Sequence, residues 1–366
     1  MPVAEAGALA FNLGAFISTL FLLEFGADKF IAHTSILARR INISEVVVGL
    51  LTAGAEWEEL AVVVGALSQG RSSLALGNVV GSSISNILGA FSLGLLWYSG
   101  DEVAEFDRSA RIYSLLLLVL TTAVAPVIYY STKITWLVGG GVLIAAFVLY
   151  FLLVAVAIGR GVLTAPEDSD SDSDSDGDDG EGNGEGDGDE ANSVSSRTAL
   201  LRGNDTPRRR RRHGLGYHGL YLSFGFLAIS LAGYVLSQAA TNITEELGMS
   251  DVLFSVVILA IATTLPEKLI ALKSGSQRHA GILVANCAGS NIFLLSLCCG
   301  IIMVGTGGTL DSGTVTATEL IALWLSTVAF TVTVWFGARY ARWIGGAMLA
   351  SYVVFIVLEF TFIHSV

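Results

Sequence analysis

Two carboxylates stand where water is scarce. Glu59 sits in GAEWEEL (54–60) and Glu267 in ATTLPEK (262–268), each in the middle of a long apolar block. A carboxylate at mid-membrane depth costs several kcal/mol, and such residues usually face an interior cavity. Each is followed by amide and hydroxyl residues at matching distances. Asn78 and Ser82 come 19 and 23 residues after Glu59, and Asn286 and Ser290 come 19 and 23 after Glu267. Asn78, Ser82 and Asn86 recur at i, i+4 and i+8 and so share one helix face, as do Asn286 and Ser290. Thr263 lies one turn before Glu267. Two carboxylates neutralise one divalent ion, and a hard cation such as Ca²⁺ takes about six to eight oxygen ligands. Gly77, Gly81, Gly289 and Pro266 are expected to break helices and free backbone carbonyls as further ligands.

Other chemistries lack their residues. The five histidines are scattered, with no HExxH and no His/Cys cluster, and GxxxxGK[ST] is absent. A metalloprotease or a nucleotide-driven pump is therefore not expected, and no nucleophile–base pair points to an enzyme. Cys287, Cys298 and Cys299 share one apolar segment and imply no disulfide framework. No resident cofactor is expected; the cations are cargo.

The elements that hold these residues are membrane helices. Of 366 residues 53% are hydrophobic and 14% charged, with a mean hydropathy of +0.66. Soluble domains carry roughly 25% charged residues. Blocks of about 20 apolar residues, the length that spans a bilayer, lie near 9–38, 45–69, 75–98, 111–130 and 135–159. They resume near 216–244, 251–274, 281–305, 317–339 and 342–364. This predicts an all-α polytopic membrane protein of about ten helices, five (1–159) and five (215–366), around a loop at 160–214. The opening block has no cation before Lys29 and so does not read as a cleaved signal peptide.

With the N-terminus outside, sixteen Lys and Arg face inward and only Arg71 and Lys133 outward. This is a strong positive-inside signal, which places the loop in the cytoplasm of a cell-membrane protein. Residues 167–190 carry 13 acids and no apolar side chain, a linker that cannot fold alone. Arg208–Arg212 fits a topology determinant touching anionic lipid, and a nucleic-acid partner is not expected. Sixteen Arg against four Lys, with the Asp-rich loop, fits a salt-loving microbe. The oligomeric state is not readable.

The two halves repeat. Residues 26–44 align with 232–250, GAEWEEL with ATTLPEK, and GNVVGSSISN (77–86) with ANCAGSNIFL (285–294). Five crossings separate the copies, an odd number, so the halves are expected to be inverted, with the site at the midplane between them.

On these motifs, together with the lead-in GADKFIAHTSILARRINISEVVVG, the sequence resembles the cation/Ca²⁺ exchanger superfamily, specifically prokaryotic sodium/calcium exchangers. Their repeats read close to G-T-S-x-P-E-L and G-N-x-x-G-S-N-I-x-N/D. The resemblance implies a secondary antiporter, exchanging Ca²⁺ for Na⁺ by alternating access. Glu59 and Glu267 would be its Ca²⁺ carboxylates, and Ser82, Asn86, Thr263, Thr264 and Ser290 would serve the neighbouring monovalent-cation sites. The sequence departs from the pattern at Ala55 and Glu56, which stand at Thr-Ser, at Glu58, which replaces Pro, and at Leu294, which replaces Asn or Asp. Glu56, three residues before Glu59 and able to share its face, could supply the oxygen lost at Leu294. Lys268 would balance this third carboxylate or snorkel along its helix. Exchange for H⁺ and a non-transporting cation sensor stay open as alternatives.

Overall fold

A computed structural model describes residues 3–40, 56–98, 106–130, 132–160, 215–308, 314–336 and 340–363. Among these every regular element is helical. The first half comprises α1 (Val3–Arg40), α2 (Trp57–Ser68), α3 (Ser72–Leu96), α4 (Arg108–Tyr129) and α5 (Lys133–Gly159). The second comprises α6 (Leu215–Leu247), α7 (Asp251–Thr263), α8 (Leu265–Ser276), α9 (Ala280–Gly305), α10 (Ala317–Phe336) and α11 (Ala341–Ile363). Eight described helices are long and apolar enough to span a bilayer, and the bent α7–α8 pair makes a ninth. Residues 41–55, which begin the second of the ten expected spans, lie outside the described residues, as do the acidic and basic segments of the loop.

The ends follow local chemistry. Asp107 caps α4 by accepting from the amide of Ala110 at 2.9 Å, and Ser250 caps α7 by accepting from that of Leu253 at 3.1 Å. Between α2 and α3 the chain reverses over Gln69–Gly70–Arg71, with Gly70 at φ +72°. Gln277–Arg278–His279 makes the equivalent turn between α8 and α9, and there Arg278 takes the left-handed conformation at φ 63°. The repeat thus extends to its turns.

The inversion is visible in the packing. Asn12 of α1 meets Asn242 and Glu246 of α6, while His33 meets His218. These equivalent helices run antiparallel. The long helices α1 and α6 pack extensively on each other, with α2 packed on α6. Helices α3 and α9 form the centre. Their most apolar windows are 89% and 78% buried, against 22% for α1 and 11% for α5, whose apolar faces are left for lipid.

The expected breaks fall differently. Helix α7–α8 is bent by 49° at Thr264, just ahead of Pro266 at the second position of α8, where its missing N–H costs least. Helices α3 and α9 continue through Gly77, Gly81 and Gly289. What they carry instead are π-helical turns, at Ser85–Phe91 and Leu294–Cys298, irregularities common at functional sites. Gly81 serves close packing: a Cβ there would sit 2.4 Å from the Val256 carbonyl oxygen of α7. Substituting Gly81→Ala is expected to cost about 1–3 kcal/mol through overpacking. A fall in melting temperature of the detergent-solubilised protein checks this.

Candidate cation-binding site

Both key carboxylates occupy the first turn of a short helix, Glu59 in α2 and Glu267 in α8. Each helix presents its positive end to them. They are deeply buried, with exposures of 1% and 6%. The tight turn after α2 folds α3 back along it, which brings Asn78 and Ser82 opposite Glu59. Ser82 Oγ donates to Glu59 Oε1 at 2.8 Å, and the Asn78 amide donates to Oε2. Thr263, at the end of α7, reaches the same carboxylate while bonding the Leu259 carbonyl at 3.0 Å. Replacing Ser82→Ala is therefore expected to weaken cation binding about tenfold, since a hydrogen bond to a charged group contributes roughly 1.5–3 kcal/mol; ⁴⁵Ca²⁺ equilibrium binding measures it.

Glu56 stands at the N-cap position of α2 and faces the other half. Its carboxylate accepts from Ser290 Oγ of α9 and lies in contact with the Glu267 carboxyl. Glu56 and Glu59 thus span the junction, one toward α8 and α9, the other toward α3 and α7. The symmetry is incomplete: among the described residues no hydrogen bond joins half-buried Asn286 to Glu267, although Asn78 bonds Glu59. Leu294 is fully buried in the apolar core. Ala55 lies outside the described residues.

On α3, α8 and α9 several oxygens are buried without a hydrogen-bond partner: Asn78 Oδ1, Ser83 Oγ, Asn86 Oδ1, Glu267 Oε2 and Asn291 Oδ1. Buried polar atoms are almost always paired, so these orphan acceptors are candidate cation ligands. Asn86 and Asn291 come together at the α3–α9 crossing through Cys287, whose Sγ donates to the Asn86 carbonyl at 3.4 Å and accepts from the Asn291 amide at 3.8 Å. Ser83 and Asn291 are missing from the residues singled out in the sequence, although they occupy equivalent places in GSSIS and GSNIF; the repeat itself was the available signal. Among the described residues no three His, Cys, Asp or Glu side chains form a metal-ligand cluster. The available donors are thus carboxylate, amide, hydroxyl and carbonyl oxygens, a set that suits hard cations.

Thr264, at the bend, shares a hydrogen bond of 2.9 Å with Ser85 of α3. Lys268 turns inward onto both of them rather than along the helix toward solvent. Away from the site, His33 and His218, scattered in sequence, meet at 3.0 Å between their Nδ1 atoms. At the α2–α3 and α6–α7 connections Arg71 pairs with Glu245 and, at 3.4 Å, with Asp251.

Comparison with known proteins places this geometry. A family model described as sodium/calcium exchanger protein matches residues 11–157 and again 217–361. A putative antiporter, CaxA, of Alkalimonas amylolytica is 26% identical over 295 residues, 80% of each chain. The sodium/calcium exchanger MaX1 of Methanosarcina acetivorans is 25% identical over 382 residues, 94% of this chain and 97% of its own. Among solved structures, native YfkE aligns with a TM-score of 0.65 at 14% identity, covering 96% of this chain and 92% of its own. The sodium-calcium exchanger NCX_Mj, soaked with 2.5 mM Na⁺ and 10 mM Sr²⁺, aligns at 0.55 and 18%, covering 95% and 99%. With both halves matched separately by the same model, the chain belongs to the sodium/calcium exchanger protein family of multi-pass membrane transporters.

Proposed function

We propose that this protein is a secondary antiporter that exchanges Ca²⁺ for Na⁺, with the divalent ion held between Glu59 and Glu267. One observation supports the reading: Glu267 keeps a buried carboxylate oxygen without a partner, and α3 and α9, whose Ser82 and Ser290 bond Glu59 and Glu56, carry further buried unpartnered amide and hydroxyl oxygens. Ca²⁺ would draw Glu59, Glu267 and Glu56, which do not form a ligand cluster in the described geometry, onto one ion with oxygens from Asn78, Asn86 and Asn291. Na⁺ would use the hydroxyls of Ser82, Thr263 and Ser290. The antiparallel pair α1 and α6 would slide across the core and open the site alternately to each side, with the His33–His218 contact and the Asn12–Asn242–Glu246 network at its two ends. The Lys and Arg distribution supports an outer N-terminus and a cytoplasmic 160–214 segment.

A second reading has a specific basis. Glu56 and Glu267 are two carboxyls in contact, an arrangement that a shared proton or a bound cation would bridge, so H⁺ is the rival counter-ion. Purified protein in liposomes separates the two by ⁴⁵Ca²⁺ uptake under an imposed Na⁺ gradient and, separately, an imposed pH gradient. Uptake driven by Na⁺ is expected. Uptake driven only by pH would assign the coupling to protons, and binding without flux would leave a sensor.

A further inference from the structure

Lys268 is a charged residue at the junction that this exchange scheme does not use. It follows Glu267 in α8, within Coulombic reach of Glu267 and Glu59. Among the described residues, however, no ion pair joins Lys268 to a carboxylate. Its Nζ lies instead among four oxygens. It meets Ser85 Oγ at 2.9 Å, the Thr264 carbonyl at 3.2 Å, the Ile261 carbonyl at 3.5 Å and the Thr264 hydroxyl. An ammonium has three protons to donate. Four oxygens around it, two hydroxyls and two carbonyls, form the kind of shell that takes a spherical monovalent cation.

The fold makes room for this arrangement. Gly89 of α3 packs on the lysine stem: a Cβ there would lie 3.2 Å from Lys268 Cε. Ser85 opens the π-helical turn of α3, and Thr264 marks the bend between α7 and α8. The ammonium therefore sits where the two halves meet, held by Ser85, one turn beyond Ser82 on α3, and by Thr264, one turn before Glu267.

Counting charge gives the consequence. Glu56, Glu59 and Glu267 supply three negative charges and Lys268 one positive, leaving two to be balanced. Glu58 also feels Glu56, Glu59 and Glu267, but it interacts most strongly with Glu24 of α1 and makes no hydrogen bond or ion pair to the three, so it is left outside the count. In a low-dielectric site an unbalanced charge is costly, so occupancy follows the count: one Ca²⁺, or two monovalent cations. We propose that the Lys268 ammonium is a tethered cation filling one monovalent position, so that each Ca²⁺ is exchanged for two monovalent cations with no net charge moved. This rests on the antiporter reading above and deepens it.

The test is the coupling ratio in proteoliposomes, read as the equilibrium Ca²⁺ ratio at clamped membrane potentials. For the wild-type protein the expected ratio is two, and flux indifferent to potential. The variant Lys268→Met opens its position to a third monovalent cation. Its ratio becomes three, and a potential of about 59 mV shifts its equilibrium Ca²⁺ ratio about tenfold, the value for one charge. A wild-type ratio of three with potential-dependent flux overturns the proposal, and this stands even if Lys268→Met yields no folded protein. An unchanged ratio of two in a transporting Lys268→Met overturns it as well. Absence of Ca²⁺ flux from the wild type under every gradient would sink the antiporter reading instead.

Discussion

Glu267→Gln is expected to reduce Ca²⁺ exchange about 100-fold while leaving the protein folded. Glu267 is 6% exposed, sits in the first turn of α8, and has one carboxylate oxygen without a partner. In the ion-free protein its charge is expensive, and the amide replacement removes that cost, so stability should hold or rise. In the loaded state the amide keeps one carbonyl oxygen but loses the charge. Truncating one member of a buried charge pair costs roughly 2–5 kcal/mol, and 1.4 kcal/mol is about tenfold in binding. Glu59→Gln should behave alike by the symmetry of the repeat, with a further loss because the Asn78 amide and Ser82 hydroxyl both donate to that carboxylate. ⁴⁵Ca²⁺ uptake alongside a thermal melt separates loss of the ligand from loss of the fold. Full exchange by Glu267→Gln would remove this residue from the site.

The largest non-additive effect is expected for Glu56 and Lys268 together. Glu56→Thr alone leaves two carboxylates and one ammonium, a net charge of minus one, so Ca²⁺ occupancy would bury a surplus positive charge. Flux should fall by more than about tenfold. Removing the ammonium as well, in Glu56→Thr with Lys268→Met, restores a net charge of minus two, and exchange should recover. Residues of one network show coupling energies of about 0.5–3 kcal/mol in double-mutant cycles; recovery of roughly 30-fold over the single variant corresponds to the upper part of that range. A double variant no more active than Glu56→Thr would show that the two charges do not compensate. Unchanged ion selectivity and pH dependence in Glu56→Thr would show that this carboxyl has not replaced the oxygen lost at Leu294.

Much of the architecture was legible in the sequence because a membrane span announces itself by length and apolarity. The nine spans within the described residues begin and end within a few residues of the apolar blocks. The repeat was legible for a similar reason: spacing of 19 and 23 residues from carboxylate to amide and hydroxyl records an antiparallel helix pair joined by a short turn. Tertiary detail was not. Gly77 and Gly81 read as helix breakers, yet a glycine in a helix equally permits close approach, and Val256 lies against Gly81. The π-helical turns have no sequence signature of their own. Ser83 and Asn291 resemble ordinary small or polar packing residues until their oxygens are found buried without partners. His33 and His218, 185 residues apart, meet only because α1 and α6 run antiparallel. Lys268 has a stem long enough to reach outward or inward, and the space beside Gly89 together with the oxygens of Ser85 and Thr264 decides which.

The location of the cation can be observed directly. Crystals of the full chain grown with Sr²⁺ in place of Ca²⁺ would give an anomalous difference peak at the divalent site. The expected peak lies between Glu59 and Glu267, at slightly more than the roughly 2.3–2.6 Å of Ca²⁺–oxygen contacts from their carboxylate oxygens because the ion is larger, and it disappears in Glu267→Gln. A peak elsewhere, or one that survives in Glu267→Gln unchanged, would contradict the assignment of these two carboxylates as the carriers of the exchanged ion.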